Sequence, residues 1–249
     1  MRYRYVAVAM VALLAVLGMS GQAAQAQATK SFTLHPDGKA TITFEAFCVN
    51  FGKLFPTAIN GPDGTVAPDK VRAALEYAQR KGLTADVKQA LQVEYAIWQL
   101  INTPNSPKGD ALAQEVITAA TAATVTNPNG TSILEAAKAN QVTITLDSWQ
   151  PIGEKQQITA TASDNFYGRG QITVTNISQQ AQTLFMPSGT LFPPASNAQN
   201  MAGIQTAIKI EDPNLPATGG ERGLAFELIV LAGVVLLAFG WRVRRGGQI

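Results

Sequence analysis

The sequence predicts an α+β fold, and three observations predict it. Apolar and polar residues alternate strictly up to Cys48, four capped helical segments follow between about residues 69 and 140, and alternation returns from Val142 between Gly/Pro turns. Strand and helix regions thus come in blocks. The expected layout is an α+β module over residues 29–150 and a small antiparallel β module over 151–212.

From Ser31 to Val49 the pattern is strand-like. Ile42, Phe44, Ala46 and Cys48 share one face; Thr41, Thr43 and Glu45 share the other. Cys48 therefore ends an inward row. Residues 52–69 read as a loop, with Gly61-Pro62-Asp63-Gly64 as its turn signal. Pro68-Asp69 opens a helix to about Lys81, and Gly82 closes it. Thr84 is the expected N-cap of a second helix, which runs to about Ile101 and is stopped by Pro104 and Pro107. A third helix spans about Asp110 to Ala123, and a fourth Ser132 to Asn140. Strands are expected at 142–146, 158–161, 171–176, 182–186 and 205–210, separated by Gly168, Gly170, Pro187-Ser188-Gly189 and Pro193-Pro194. The apolar stretch Phe185–Phe192 reads as a turn at the edge of the core.

Both ends of the chain read as targeting segments. Arg2 and Arg4 precede an apolar stretch from Tyr5 to Leu17, and small residues at 24–28 follow as cleavage sites. Residues 1–26 are expected to be a secretory signal peptide. At the other end, Leu215-Pro216-Ala217-Thr218-Gly219 precedes an 18-residue apolar run, Leu224 to Trp241, and then Arg242, Arg244 and Arg245. The run is long enough for a membrane-spanning helix, and the arginines match a cytoplasmic stop. This order over residues 213–249 resembles the LPxTG sorting signal of bacterial surface proteins. The resemblance implies that a sortase cuts between Thr218 and Gly219 and joins Thr218 to a cell-envelope amine. A plain C-terminal membrane anchor is the simpler alternative. Either way the protein is expected outside the cell, held at the wall or membrane.

The basic balance of the whole chain, 19 Lys and Arg against 17 Asp and Glu, belongs to these end segments. Without them 13 basic and 15 acidic residues remain, so no nucleic-acid footprint is present. Cys48 is the sole cysteine and can make no internal disulfide. An exported lone thiol calls for burial, pairing with a partner, or chemistry.

On the second helix, Val87, Leu91, Trp98 and Ile101 form one narrow stripe, and Glu94 lies in its middle. A carboxylate on a core-facing stripe is costly unless it is hydrogen-bonded, paired or protonated. Two misfits thus stand out, an inward Cys48 and an inward Glu94. Phe47-Cys48-Val49-Asn50-Phe51-Gly52-Lys53, with Val93-Glu94-Tyr95-Ala96-Ile97-Trp98 downstream, resembles the thioester domain of bacterial surface adhesins over roughly residues 40–125. In that family a Cys is joined to a Gln side chain from a T-Q-x-A-I-W motif, with loss of ammonia. The bond is hidden until a host or surface nucleophile attacks it. Ala96, Ile97 and Trp98 carry the match, and Glu94 stands where the family has Gln. A carboxylate lacks a good leaving group, which speaks against a spontaneous Cys48–Glu94 thioester. Gln92 and Gln99 lie on other faces of the helix and do not restore the register.

The resemblance implies a surface-anchored, non-enzymatic protein for adhesion or envelope interaction, with a host or surface ligand and no cofactor. The alternative is a structural envelope or pilin-like subunit, with Cys48 and Glu94 kept by packing alone; buried free Cys is common. Other chemistry has weaker support. His35, the sole histidine, alternates to the opposite side from Cys48, which disfavours a cysteine hydrolase. One His and one Cys make no usual zinc site. A Lys–Asn isopeptide bond in the β region would use Lys155 or Lys209 with Asn176.

Overall fold

The computed structural model describes residues 29–152 and 166–213. The expected signal peptide, the strand at 158–161, Lys155, the sorting motif and the apolar span 224–241 lie outside the described residues. Among the described residues no helix is long and apolar enough to cross a membrane.

Helices and antiparallel sheets combine in an α+β fold. Its centre is a five-stranded antiparallel sheet built from β2 (Lys39–Cys48), β4 (Val142–Ile152), β5 (Tyr167–Asn176), β7 (Thr190–Phe192) and β8 (Met201–Glu211), in the order β4-β5-β2-β8-β7. A smaller sheet holds β1 (Phe32–Leu34), β6 (Gln182–Phe185) and β3 (Thr131–Ser132), with β6 in the middle. This arrangement corrects the expected two-module division. β2, from before residue 150, pairs along its length with both β5 and β8, from after it. The described part up to Glu211 is one compact unit. The physical reason is hydrogen bonding: β2 is buried over most of its length, so the backbone amides and carbonyls at both its edges need a partner strand.

The two faces of β2 build two cores. Ala40, Ile42, Phe44, Ala46 and Cys48 pack with Leu34, Leu184, Ile133 and Met186 of the smaller sheet and its neighbours. Phe47, on the opposite face, joins the core of the three long helices with Tyr167, Ala202 and Ile204. Glu45 lies on that second face. It is buried as well, and Arg169 donates to it at 2.6 Å.

The helices begin and end as their caps dictate, with one exception. α1 (Asp69–Lys81) stops at Gly82, which adopts the left-handed conformation, φ 66°, that glycine tolerates. α2 (Val87–Leu100) is capped by Asp86 rather than Thr84. The Asp86 carboxylate accepts from the amides of Lys88 and Gln89, while Leu83–Ala85 forms a single 3-10 turn before it. α3 (Ala111–Ala122) is capped by Asp110, and the short α4 (Ile133–Lys138) by Ser132. α2 carries a broader buried band than its stripe implied. Ala90, Val93, Ala96 and Ile97 face the helical core, and Trp98 reaches the other core. That breadth follows from position, because α2 packs against both α1 and α3.

The stretch Phe185–Phe192 is more than an edge turn. Met186, Thr190 and Phe192 are fully buried, and Thr190–Phe192 pairs with β8 as β7. The Arg72 guanidinium of α1 donates to the Ser188 carbonyl at 3.0 Å and to Asn127 at 2.7 Å, pinning this hairpin to the helices.

Candidate functional site

Cys48 is the last residue of β2 and pairs with Met201, the first residue of β8. Its amide donates to the Phe166 carbonyl at 3.3 Å. Its thiol lies 3.7 Å from the Met201 sulfur, a weak contact between two polarizable groups. Alternation along β2 aims the thiol at the core, as its 0 % exposure shows.

Glu94, in the middle of α2, is also 0 % exposed. The fold brings these two residues of separate elements together. The Cys48 amide acts on the Glu94 carboxyl, and the charge of Glu94 acts on the Cys48 thiol. The amide pulls the carboxyl downward, against burial; it donates to Phe166, and neither Glu94 oxygen has a hydrogen-bond partner among the described residues. One helical turn on, the Trp98 indole nitrogen is buried without a partner too.

Burial pushes the Glu94 carboxyl well above the ordinary carboxylate range, since a charge with neither water nor donors is strongly disfavoured. Burial likewise pushes the Cys48 thiol up, and a Glu94 charge would push it further. Burial disfavours ionisation of both and a Glu94 charge disfavours that of Cys48 further, so the favoured arrangement is a neutral thiol beside a neutral carboxylic acid. Neither is then a nucleophile. Joining them would require expelling water from the acid, whereas an amide at position 94 would release ammonia.

A cap closes over this end of the sheet. Residues Asn50–Lys53 form a turn in which the Lys53 amide donates to the Asn50 carbonyl at 3.3 Å. Gly52, at φ 91°, supplies the positive φ that the turn needs. The ring of Phe51 lies 4.7 Å from that of Trp98, tilted by 56°. Gln199 clasps the turn with both ends of its amide: Oε1 accepts from the Asn50 amide at 3.3 Å and Nε2 donates to the Lys53 carbonyl at 2.8 Å. Asn50 Oδ1 accepts from the Asn200 amide at 3.0 Å.

No protein-family model, curated protein or solved structure matches this chain.

The other sequence candidates are placed elsewhere. Gln92 and Gln99 hold the loop before α3. Gln92 accepts from the Asp110 amide at 2.8 Å, and Gln99 donates to the Pro107 and Lys108 carbonyls. Ala96 and Ile97 are fully buried in the helical core. His35 sits beside the start of β2, where its carbonyl accepts from Gly38 at 3.0 Å. That is the end of the strand opposite Cys48, so the two are not brought together. Asn176 is fully engaged: Nδ2 donates to Leu34 and Gln180 carbonyls, and Oδ1 accepts from Ser178. Lys209 is exposed and paired with Glu211 at 2.6 Å. The Lys209–Asn176 isopeptide option is corrected on these grounds.

Sequence reading missed Met201 and the Asn50–Gln199 clasp. A Phe-Gly pair two residues after a strand end is a turn signal that could have marked the cap. The Met201 contact depends on strand register, which carries no local signal.

Proposed function

We propose that this chain is an exported, envelope-anchored surface protein of thioester-domain type, acting in adhesion or envelope contact. In this reading the Cys48–Glu94 pair is held together without a covalent bond, and the chain is not an enzyme. A sortase acts on Leu215-Pro216-Ala217-Thr218-Gly219, and a cell-envelope amine receives Thr218.

The observation that carries the reading is the juxtaposition of Cys48 and Glu94. The resemblance pairs these two positions, and they come from a strand end and a helix 46 residues apart in sequence. Strand register adds support. In β2 and β8, Lys39 faces Glu211 while Cys48 faces Met201. The chain leaves the sheet at Glu211, so the Cys48 end lies about 30 Å away, at roughly 3.3 Å per residue.

The complete burial of both side chains favours a second reading, a structural envelope or pilin-like subunit in which the pair is core packing. Intact mass of the purified exported chain, with and without methylamine, separates the two. The proposal predicts full expected mass and no adduct for wild type, and loss of one ammonia with methylamine uptake for Glu94→Gln. If Glu94→Gln keeps its full mass, the structural reading replaces the proposal. If wild type is lighter by one water, the non-covalent pair is wrong.

A further inference from the structure

We propose that Glu94 is a proton-held latch: while its carboxyl is neutral the Asn50–Lys53 turn stays closed over Cys48, and ionisation releases it. This is regulation of the site invoked above. Its consequence, access to Cys48, rests on that reading; its physics does not.

The geometry gives the latch its parts. The Glu94 carboxyl is sealed with both oxygens unpartnered, so it tolerates a proton and little else. An anion there must find water or donors, and one structural element must yield. β2 and β8 are tied along their length by a ladder with one bulge, between Thr43 and Phe44, and α2 is packed on two helices. The Asn50–Lys53 turn is held by side-chain hydrogen bonds from Gln199 and Asn50 and by the ring contact of Phe51 on Trp98, with one backbone hydrogen bond at each flank, from the Val49 amide to the Asn200 carbonyl and from the Gln199 amide to the Leu54 carbonyl. Gly52 and Lys53 in it are already exposed, as is Leu54 just after it. With no strand ladder or helix of its own, it is the segment next to Cys48 that yields most readily.

The charged and titratable surroundings do not offset an anion. Cys48 on β2 and Tyr95 on α2 are the groups whose ionisation the charge of Glu94 opposes. Met201 on β8 and Gln199 ahead of it are uncharged. Lys53, on the turn itself, is solvent-exposed and becomes a neighbour for an anion only when water enters.

The sign follows from the raised carboxyl. In the open state Glu94 ionises near the ordinary value of 4.5, and in the closed state well above it. Between those limits opening releases one proton, so the open fraction grows about tenfold per pH unit. Amide hydrogen exchange reads this directly at Val49, Asn50 and Lys53, as protection corrected for intrinsic base catalysis. Wild-type protection at these three amides should fall about tenfold per pH unit and stay well below that of the slowest amides in α1, which exchange through global unfolding. Glu94→Met should show no such fall, and Glu94→Gln serves the same purpose if the Met variant folds poorly. Equal pH slopes in wild type and variants, or no slope in wild type, would overturn the latch. So would turn protection equal to that of α1 at every pH, which is global unfolding. The mass experiment reads only bond formation at position 94, so failure of one reading leaves the other measurable.

Discussion

At the scale of single residues, the molecule is defined by a buried acid that has lost its usual compensations. Replacing one partner of a buried polar pair normally strands the other. Here neither Glu94 oxygen has a partner to strand. Glu94→Met, similar in length and apolar, should therefore raise stability, by about 1–3 kcal/mol at neutral pH. The pH dependence has a definite sign. The folded-state carboxyl value is raised, so its stability contribution is fully present below the ordinary value of 4.5 and is lost as pH rises through the raised one. Urea unfolding should show wild type weakening as pH rises above the ordinary carboxylate value of 4.5, with Glu94→Met nearly level. A wild type that strengthens over that rise would contradict the assignment. Both misfit residues were legible in sequence, Cys48 through alternation and Glu94 through the helical stripe. Their contact was not, because periodicity marks the face of an element and never the partner of that face.

At the scale of elements, the caps decide where helices start and turns hold. Pro68-Asp69, Gly82, Asp110 and Ser132 were readable, because each side chain or backbone preference acts within a few residues. Thr84 and Asp86 both carry a capping oxygen, and local sequence does not rank them. Asp86 wins because its extended backbone aims the carboxylate at the first free amides of α2. Asp86→Ala should cost about 1 kcal/mol, and Thr84→Ala should cost much less, as read by thermal unfolding. The clasp on the cap gives a second element-scale outcome. Gln199→Ala removes both hydrogen bonds that its amide makes to the turn. It should lower global stability by about 1–2 kcal/mol and deprotect Asn50 and Lys53 at every pH. Protection unchanged at those two amides would mean that the turn is held by Phe51 on Trp98 instead.

At the scale of the whole molecule, the sheet joins parts of the chain that the sequence separates. The α+β class was legible from blocks of differing periodicity. The boundary expected at residue 150 was not a boundary, since β2 lies between β5 and β8. Strand order is a long-range property, and short alternating runs are compatible with many orders. A fragment ending at residue 150 would leave both edges of β2 unpaired and Phe44 and Phe47 uncovered by their later partners Phe192 and Tyr167. It should show no cooperative unfolding transition by circular dichroism, whereas residues 29–213 should show one.

The measurement closest to the central claim is a pH titration of the Glu94 carboxyl carbon by NMR, assigned by its absence from Glu94→Gln. The account predicts a carboxyl that titrates well above the ordinary value of 4.5, with an open cap wherever it ionises. A carboxyl that titrates near the ordinary value of 4.5 with the cap still closed would show that Glu94 is a solvated anion, and the sealed neutral pair with Cys48 would be wrong.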